Sequence, residues 1–163
     1  VSFIPESERI ITLEDTAELC PQHAHWLSLL SRTANADGIG TVTLRDLVRQ
    51  TLRMRPDRIL VGECRGDEVI DLLQALNTGH RGTLSTVHAN SAKDALKRLE
   101  LLAMIAARGT IPTHLIKELI ANGIQKIVYL ENRRIETILQ IEGFERELIF
   151  TRPVFSQENI HTK

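Results

Sequence analysis

Apolar residues along this chain follow two alternating rhythms. Short apolar runs, each closed by polar or charged residues, alternate with longer stretches in which apolar residues recur every three or four positions. "RIITLED" (9–15), "RILVG" (58–62) and "TLSTVHA" (83–89) belong to the first kind and predict buried strands. "TLRDLVRQTLRMR" (43–55) belongs to the second. Leu44, Leu47, Val48 and Leu52 share a helical face, Thr43 and Asp46 have capping-box spacing, and "RPD" breaks the helix before the next strand. "DEVIDLLQALNTG" (67–79) predicts a second helix, with Val69, Leu72, Leu73 and Leu76 on one face and Gly79 as its stop. Ser91 and Asp94 cap a third helix through "ALKRLELLAMIAA", and Ile111, Pro112 and Thr113 open a fourth that ends near Asn122–Gly123. "HAHWLSLLSR" (23–32) reads as extended, "NADGIGT" (35–41) as a turn and "IQKIVYLE" (124–131) as a strand. The alternation in "RIETILQIEGF" and "RELIFTRPVF" predicts a β-meander, and the last residues, "SQENIHTK", read as frayed.

Strands alternating with helices predict an α/β domain with a mostly parallel sheet. Such sheets bind ligands beyond the carboxyl ends of their strands. The strand ends therefore carry the candidate chemistry. The first ends at Glu14–Asp15, the second at Glu63 and the third at His88, followed by "ANS" at a helix start. On one rim, these carboxylates and the imidazole could hold a divalent metal, orient a water and meet a phosphate. Each also has a plainer reading: Glu63 as a cap for the next helix, Glu14–Asp15 as the start of a solvated loop, His88 as a hydrogen-bonded structural histidine. Arg45, Arg49 and Arg53 repeat every four residues and form a helical stripe, which is either a solvated face or a source of cations for a neighbouring subunit's nucleotide. Gly79 and Gly82 flank His80–Arg81 and predict a tight turn.

Bulk properties narrow the classes. The 163 residues suffice for one domain with a real core, and a formal net charge of −1 gives no pull toward nucleic acid or an anionic membrane, so no sequence-specific nucleic-acid binding is expected. Two cysteines, Cys20 and Cys64, are no disulfide framework and fit a reducing cytoplasm. No apolar run approaches the ~20 residues that span a bilayer. His23, His25, His80, His88, Cys20, Cys64 and Glu63 include metal-ligating types, but none has the paired spacing of a zinc site.

Three segments converge on a known family. "RIITLEDTAEL" resembles the Asp box of the type II/type IV secretion traffic ATPases, "MRPDRILVGECRG" their atypical Walker B segment and "GHRGTLSTVHANS" their His box, in the same order and at similar spacing. "TVTLRDLVRQTLRMRPDRI" and "LLQALNTGH" are most similar to the tight-adherence pilus branch and its conjugation relatives. The resemblance implies a RecA-like P-loop NTPase domain over residues 1–131, with 132–155 as a β-meander of the same domain and 156–163 as a disordered tail. It implies a homohexameric motor that hydrolyses ATP with Mg2+ at the cytoplasmic face of the inner membrane, powering pilus assembly or secretion with inner-membrane partner proteins. Glu63 would be the catalytic acid that polarises water. Glu14 and Asp15 would lie near the Mg2+ ion and attacking water, with Asp15 and Glu63 nearest the metal. His88 would lie near the γ-phosphate. Arg45, Arg49, Arg53, Arg55 and Arg65 match arginine-bearing family segments and are candidates for phosphate or arginine-finger contacts.

The family also carries a Gly-rich Walker A loop ending in Gly–Lys–Ser/Thr. None of the five lysines here (93, 97, 117, 126, 163) follows a glycine. The chain thus reads as truncated just after the P-loop helix, and the rival reading is an inactive remnant kept as a subunit-interaction module. Without that loop's N–H groups and lysine, the phosphates lose most of their cradle. The purified chain alone is expected to show negligible ATPase activity. Robust Mg2+-dependent phosphate release, lost in Glu63→Gln, would overturn that expectation.

Overall fold

The computed structural model describes residues 3–80 and 82–157. Its chain divides into two compact units, Val1–Thr86 and Val87–Lys163. Of the tail expected over 156–163, residues 158–163 lie outside the described residues, as does Arg81 in the predicted tight turn.

The first unit is built on a four-stranded parallel sheet in the order β2-β1-β3-β4. Strand β1 (Ile10–Glu14) is buried at every position, as expected of a central strand covered on both faces. It lies between β2 (Trp26–Leu30) and β3 (Arg58–Val61). Thr12, fully buried within β1, accepts a hydrogen bond from the Trp26 indole at 3.1 Å, so the polar atom in the middle of the sheet is satisfied. Helix α1 (Leu44–Thr51) buries Leu44, Leu47 and Val48 and packs on β1 and on α2 (Glu68–Asn77). Its start has both halves of the capping box: Thr43 Oγ1 accepts from the Asp46 N–H, and Asp46 accepts from the Thr43 N–H. That bond, with the Thr43 hydroxyl, holds the Asp46 carboxyl below its ordinary range.

Two predicted elements are shorter than their patterns suggest. Helix α1 ends at Thr51, not at Arg55. Pro56 disfavours the right-handed helical region for the residue before it, and Arg55 takes a φ of 53°. Arg53 therefore leaves the helical stripe, which reduces to Arg45 and Arg49. Strand β4 (Leu84–Ser85) has two residues, so the strand predicted to deliver His88 stops well short of it. Beyond Ser85 the Thr86 hydroxyl donates to Gly62 O at 2.6 Å, and Thr86 O accepts from the Cys64 N–H; a side chain replaces the next rung of the ladder. Gly82, with φ +87°, could carry no side chain without meeting Arg58 Nη1 at 2.6 Å.

The second unit holds α3 (Ala92–Ala107), α4 (Thr113–Gly123) and the antiparallel meander β5 (Lys126–Glu131), β6 (Arg134–Glu145) and β7 (Leu148–Ser156). The helices pack on one another and on the sheet, around Ala103, Ile116, Ile120, Leu139 and Ile141. Both hairpins are two-residue turns with left-handed backbone at both central positions, Asn132–Arg133 (φ 50°, 63°) and Arg146–Glu147 (φ 48°, 64°). Such turns match strand twist but favour Asn–Gly. The second carries no residue suited to it, although Lys117 Nζ donates to Glu147 O. Replacing Arg146–Glu147 by Asn–Gly should raise stability by about 1 kcal/mol, relief of left-handed strain exceeding the entropy cost of the added glycine. Thermal melting followed by circular dichroism checks this; an unchanged or lower midpoint would refute it.

Candidate active site

The register of β1 and β3 builds the rim of the first unit. Leu13 pairs with Val61, and the Gly62 N–H continues the ladder by donating to Leu13 O at 2.9 Å. Glu14 is thereby beside Gly62, and Asp15 and Glu63 each follow directly. A side chain at position 62 would crowd the Glu14 Cγ, since a Cβ there would lie 3.1 Å from it. Glycine before the acid thus makes room for the acid of the neighbouring strand.

The two acids of "LED" have different surroundings. Glu14 is 3% exposed, and its Oε1 accepts from the Glu18 and Leu19 N–H groups at 3.0 and 2.9 Å. Its Oε2 is buried with no hydrogen-bond partner. Asp15 is more open: Oδ1 accepts from the Ser31 hydroxyl at 2.7 Å and Oδ2 from Arg65 Nη2 at 3.0 Å. The same guanidinium places Nε 3.3 Å from Glu63 Oε2. The structure therefore brings together Asp15, Glu63 and Arg65. A cavity of about 340 Å3 adjoins this rim, lined by Asp15, Ser31, Arg32, Thr43, Arg65 and Gly66 among others.

Glu68 fixes the loop between Glu63 and α2. It is 5% exposed, and one oxygen, Oε1, accepts from the Arg65 and Gly66 N–H groups at 2.7 and 2.8 Å. A Cβ on Gly66 would fall 2.9 Å from Oε2 of that carboxylate. Burial, reinforced by Glu68, pushes the neighbouring Cys64 thiol far up and keeps it un-ionised. Glu68 is thus an acid that ties down backbone N–H groups ahead of the helix.

The arginine stripe is engaged within the unit. Arg45 Nε and Arg49 Nε donate to the two oxygens of Asp71 at 2.6 and 2.7 Å, and Arg45 Nη1 reaches Asp67 at 2.9 Å. The bond to Asp71, with that to Asp67 added, raises the Arg45 guanidinium further above its ordinary value. Asp71 is 8% exposed, on the side of α2 that meets α1; Val69 and Leu73 are buried on the opposite side of the same helix. Arg53 and Arg55 are exposed.

His88 belongs to the second unit. With Asn90, Asp94 and Arg98 it lines a recess of about 400 Å3 at the start of α3, where Ser91 Oγ accepts from the Asp94 N–H at 3.0 Å. Among the described residues no group of three or more His, Cys, Asp and Glu gathers as a metal cage. None of the helices described is long and apolar enough to cross a membrane.

Glu68 and Asp71 are the residues that sequence reasoning missed. Spacing held little signal for either: Asp71 has Asp67, Glu68 and Gln74 among its helical neighbours, and both acids read as ordinary polar positions.

The model of the type II/IV secretion system protein family matches residues 1–145. A Mycobacterium tuberculosis protein assigned to conjugal transfer is 53% identical over 111 residues, 68% of this chain and 32% of that protein. The conjugal transfer protein TrbB of Rhizobium radiobacter is 38% identical over 141 residues, 84% of this chain and 40% of that protein. Among solved structures, the VirB11 ATPase of the Brucella suis type IV secretion system, in complex with sulphate, superposes with a TM-score of 0.67 at 32% identity, covering 77% of this chain and 36% of that one. The chain thus spans about a third to two fifths of the length of the relatives it matches.

Asp71 holds two cations from a nearly buried position, so its loss takes one carboxylate partner from each and leaves Arg45 with Asp67. Asp71→Ala should lower the unfolding free energy by about 2–3 kcal/mol. Lys97→Ala, which removes only an exposed pair with Asp94, should leave it unchanged. Urea titrations check both, and a neutral Asp71→Ala would refute the clamp.

Proposed function

Because the chain belongs to the type II/IV secretion system protein family, we propose that it is the C-terminal part of an ATP-hydrolysing motor that powers type IV secretion, conjugation or pilus assembly. The observation that carries this reading is that Asp15 and Glu63, each just past the end of one of two adjacent parallel strands, meet on the Arg65 guanidinium at the end of the sheet where α/β folds bind ligands. The 32% identity to a VirB11 ATPase supports it.

The roles that the family resemblance implies are proposed for these residues as follows. Glu63, part-exposed at the rim, orients the attacking water. Glu14 is held by two backbone N–H groups and shapes the segment after β1 from beneath, while Asp15 presents its carboxylate outward. His88, at the entry to α3, is assigned to the γ-phosphate. Arg53, Arg55 and Arg65 remain the candidates for phosphate or arginine-finger contacts, since Arg45 and Arg49 are occupied by Asp71.

The rim fits a magnesium ion. Asp15 and Glu63 offer hard carboxylate oxygens that already share a cation, and the orphaned Oε2 of Glu14 marks the same strand end as short of positive charge. Mg2+ is commonly held by one or two carboxylates with waters and substrate phosphates, so no larger protein cage is required. When bound, it would neutralise charge developing on the phosphate oxygens. As a motor the whole protein would act as a homohexamer in the cytoplasm, peripheral to the inner membrane and docked on secretion or pilus proteins there.

The test is made in the whole protein, with the Gly-rich phosphate loop that the family implies. Glu63→Gln should lower kcat by about 100-fold or more while nucleotide affinity stays within about threefold. His88→Ala should lower kcat more than affinity. Wild-type turnover in Glu63→Gln would refute the motor reading and favour the interaction module; wild-type turnover in His88→Ala would make that residue structural.

A further inference from the structure

One guanidinium serves both rim acids. Arg65 Nη2 lies 3.0 Å from Asp15 Oδ2 and Arg65 Nε 3.3 Å from Glu63 Oε2. The two acids follow the ends of two different, adjacent parallel strands, and Arg65 brings them to one place. Like charges so placed raise one another's energy unless a cation stands between them. Arg65 is such a cation, placed against both.

Its main chain and side chain are held very differently. The Arg65 and Gly66 N–H groups are fixed by the buried carboxylate of Glu68. The Arg65 side chain is 58% exposed, and its partners Asp15 and Glu63 are 41% and 24% exposed. A part-exposed ion pair is weak, so the guanidinium can swing away while its anchor stays in place.

We propose that Arg65 is an exchangeable counter-ion for the Asp15–Glu63 pair, and that a divalent cation enters by displacing it. A metal ion and a guanidinium need the same carboxylate oxygens and repel one another. Resident Arg65 therefore weakens metal binding to the apo rim, and entry of the metal releases a mobile cation beside the site, available to an incoming anion. The proposal rests on the motor reading only in taking Mg2+ as the natural ion.

The experiment uses Mn2+ alone, without nucleotide, and counts free Mn2+ by electron paramagnetic resonance in the purified chain. Arg65→Gln should bind Mn2+ about five- to tenfold tighter than wild type, the gain expected from removing one positive charge a few ångströms away at a hydrated rim. Arg65→Lys should stay near wild type, and Arg65→Gln with Glu63→Gln should lose the gain. Trp26 fluorescence spectra that match wild type verify that the variants are folded. Equal or weaker Mn2+ binding in Arg65→Gln, no saturable binding in any variant, or a gain that survives Glu63→Gln would each overturn the proposal. Turnover of the whole protein is a separate readout. Loss of turnover in Glu63→Gln with no gain in Arg65→Gln sinks the exchange alone, and the converse pattern sinks the motor alone.

Discussion

The parallel register between β1 and β3 is the constraint on which the rim depends. A slip of one residue would exchange the two faces of the strand and separate the acids from each other. Two features oppose that slip. Every side chain of β1 is packed, so a slip would repack both layers, and in the observed register Gly62 leaves room for Glu14. The acids meet at the rim because the hydrophobic strands behind them can pair in just this way.

Around that sheet, charge is used at three depths. Glu68, almost fully buried, is satisfied by backbone N–H groups and acts as part of the scaffold. Asp71, nearly as buried, takes two guanidinium groups and joins α1 to α2. Asp15 and Glu63, nearer the surface, both pair with the exposed Arg65. Desolvation orders these roles. A deep carboxylate must have fixed donors close by, whereas a part-exposed one can exchange partners at little cost.

Much of this was legible in the sequence. Apolar spacing alone locates α1 to α4 and the meander, because a helix or strand with one buried face must repeat its apolar residues at the period of its backbone. The strand ends at Glu14–Asp15 and Glu63 were legible for the same reason, since a buried strand has to stop where charge begins. Other features depend on tertiary neighbours. Arg53 has the spacing of Arg45 and Arg49, but Pro56 ends the helix before the stripe can continue. "TLSTVHA" has the composition of a strand, yet the Thr86 hydroxyl takes a carbonyl that a strand would have left to the main chain. Glu68 and Asp71 look like ordinary polar helix residues until the loop and helix that meet them are in place.

The clamp at Glu68 has an evolutionary consequence. It grips positions 65 and 66 through their main-chain N–H groups, and at position 66 it demands glycine. At position 65 it demands nothing of the side chain. Descendants of this sequence could therefore sample other residues there and retune the charge at the rim without rebuilding the loop that carries it. The scaffold is inherited in the backbone, while its electrostatics stay open to variation at a single codon.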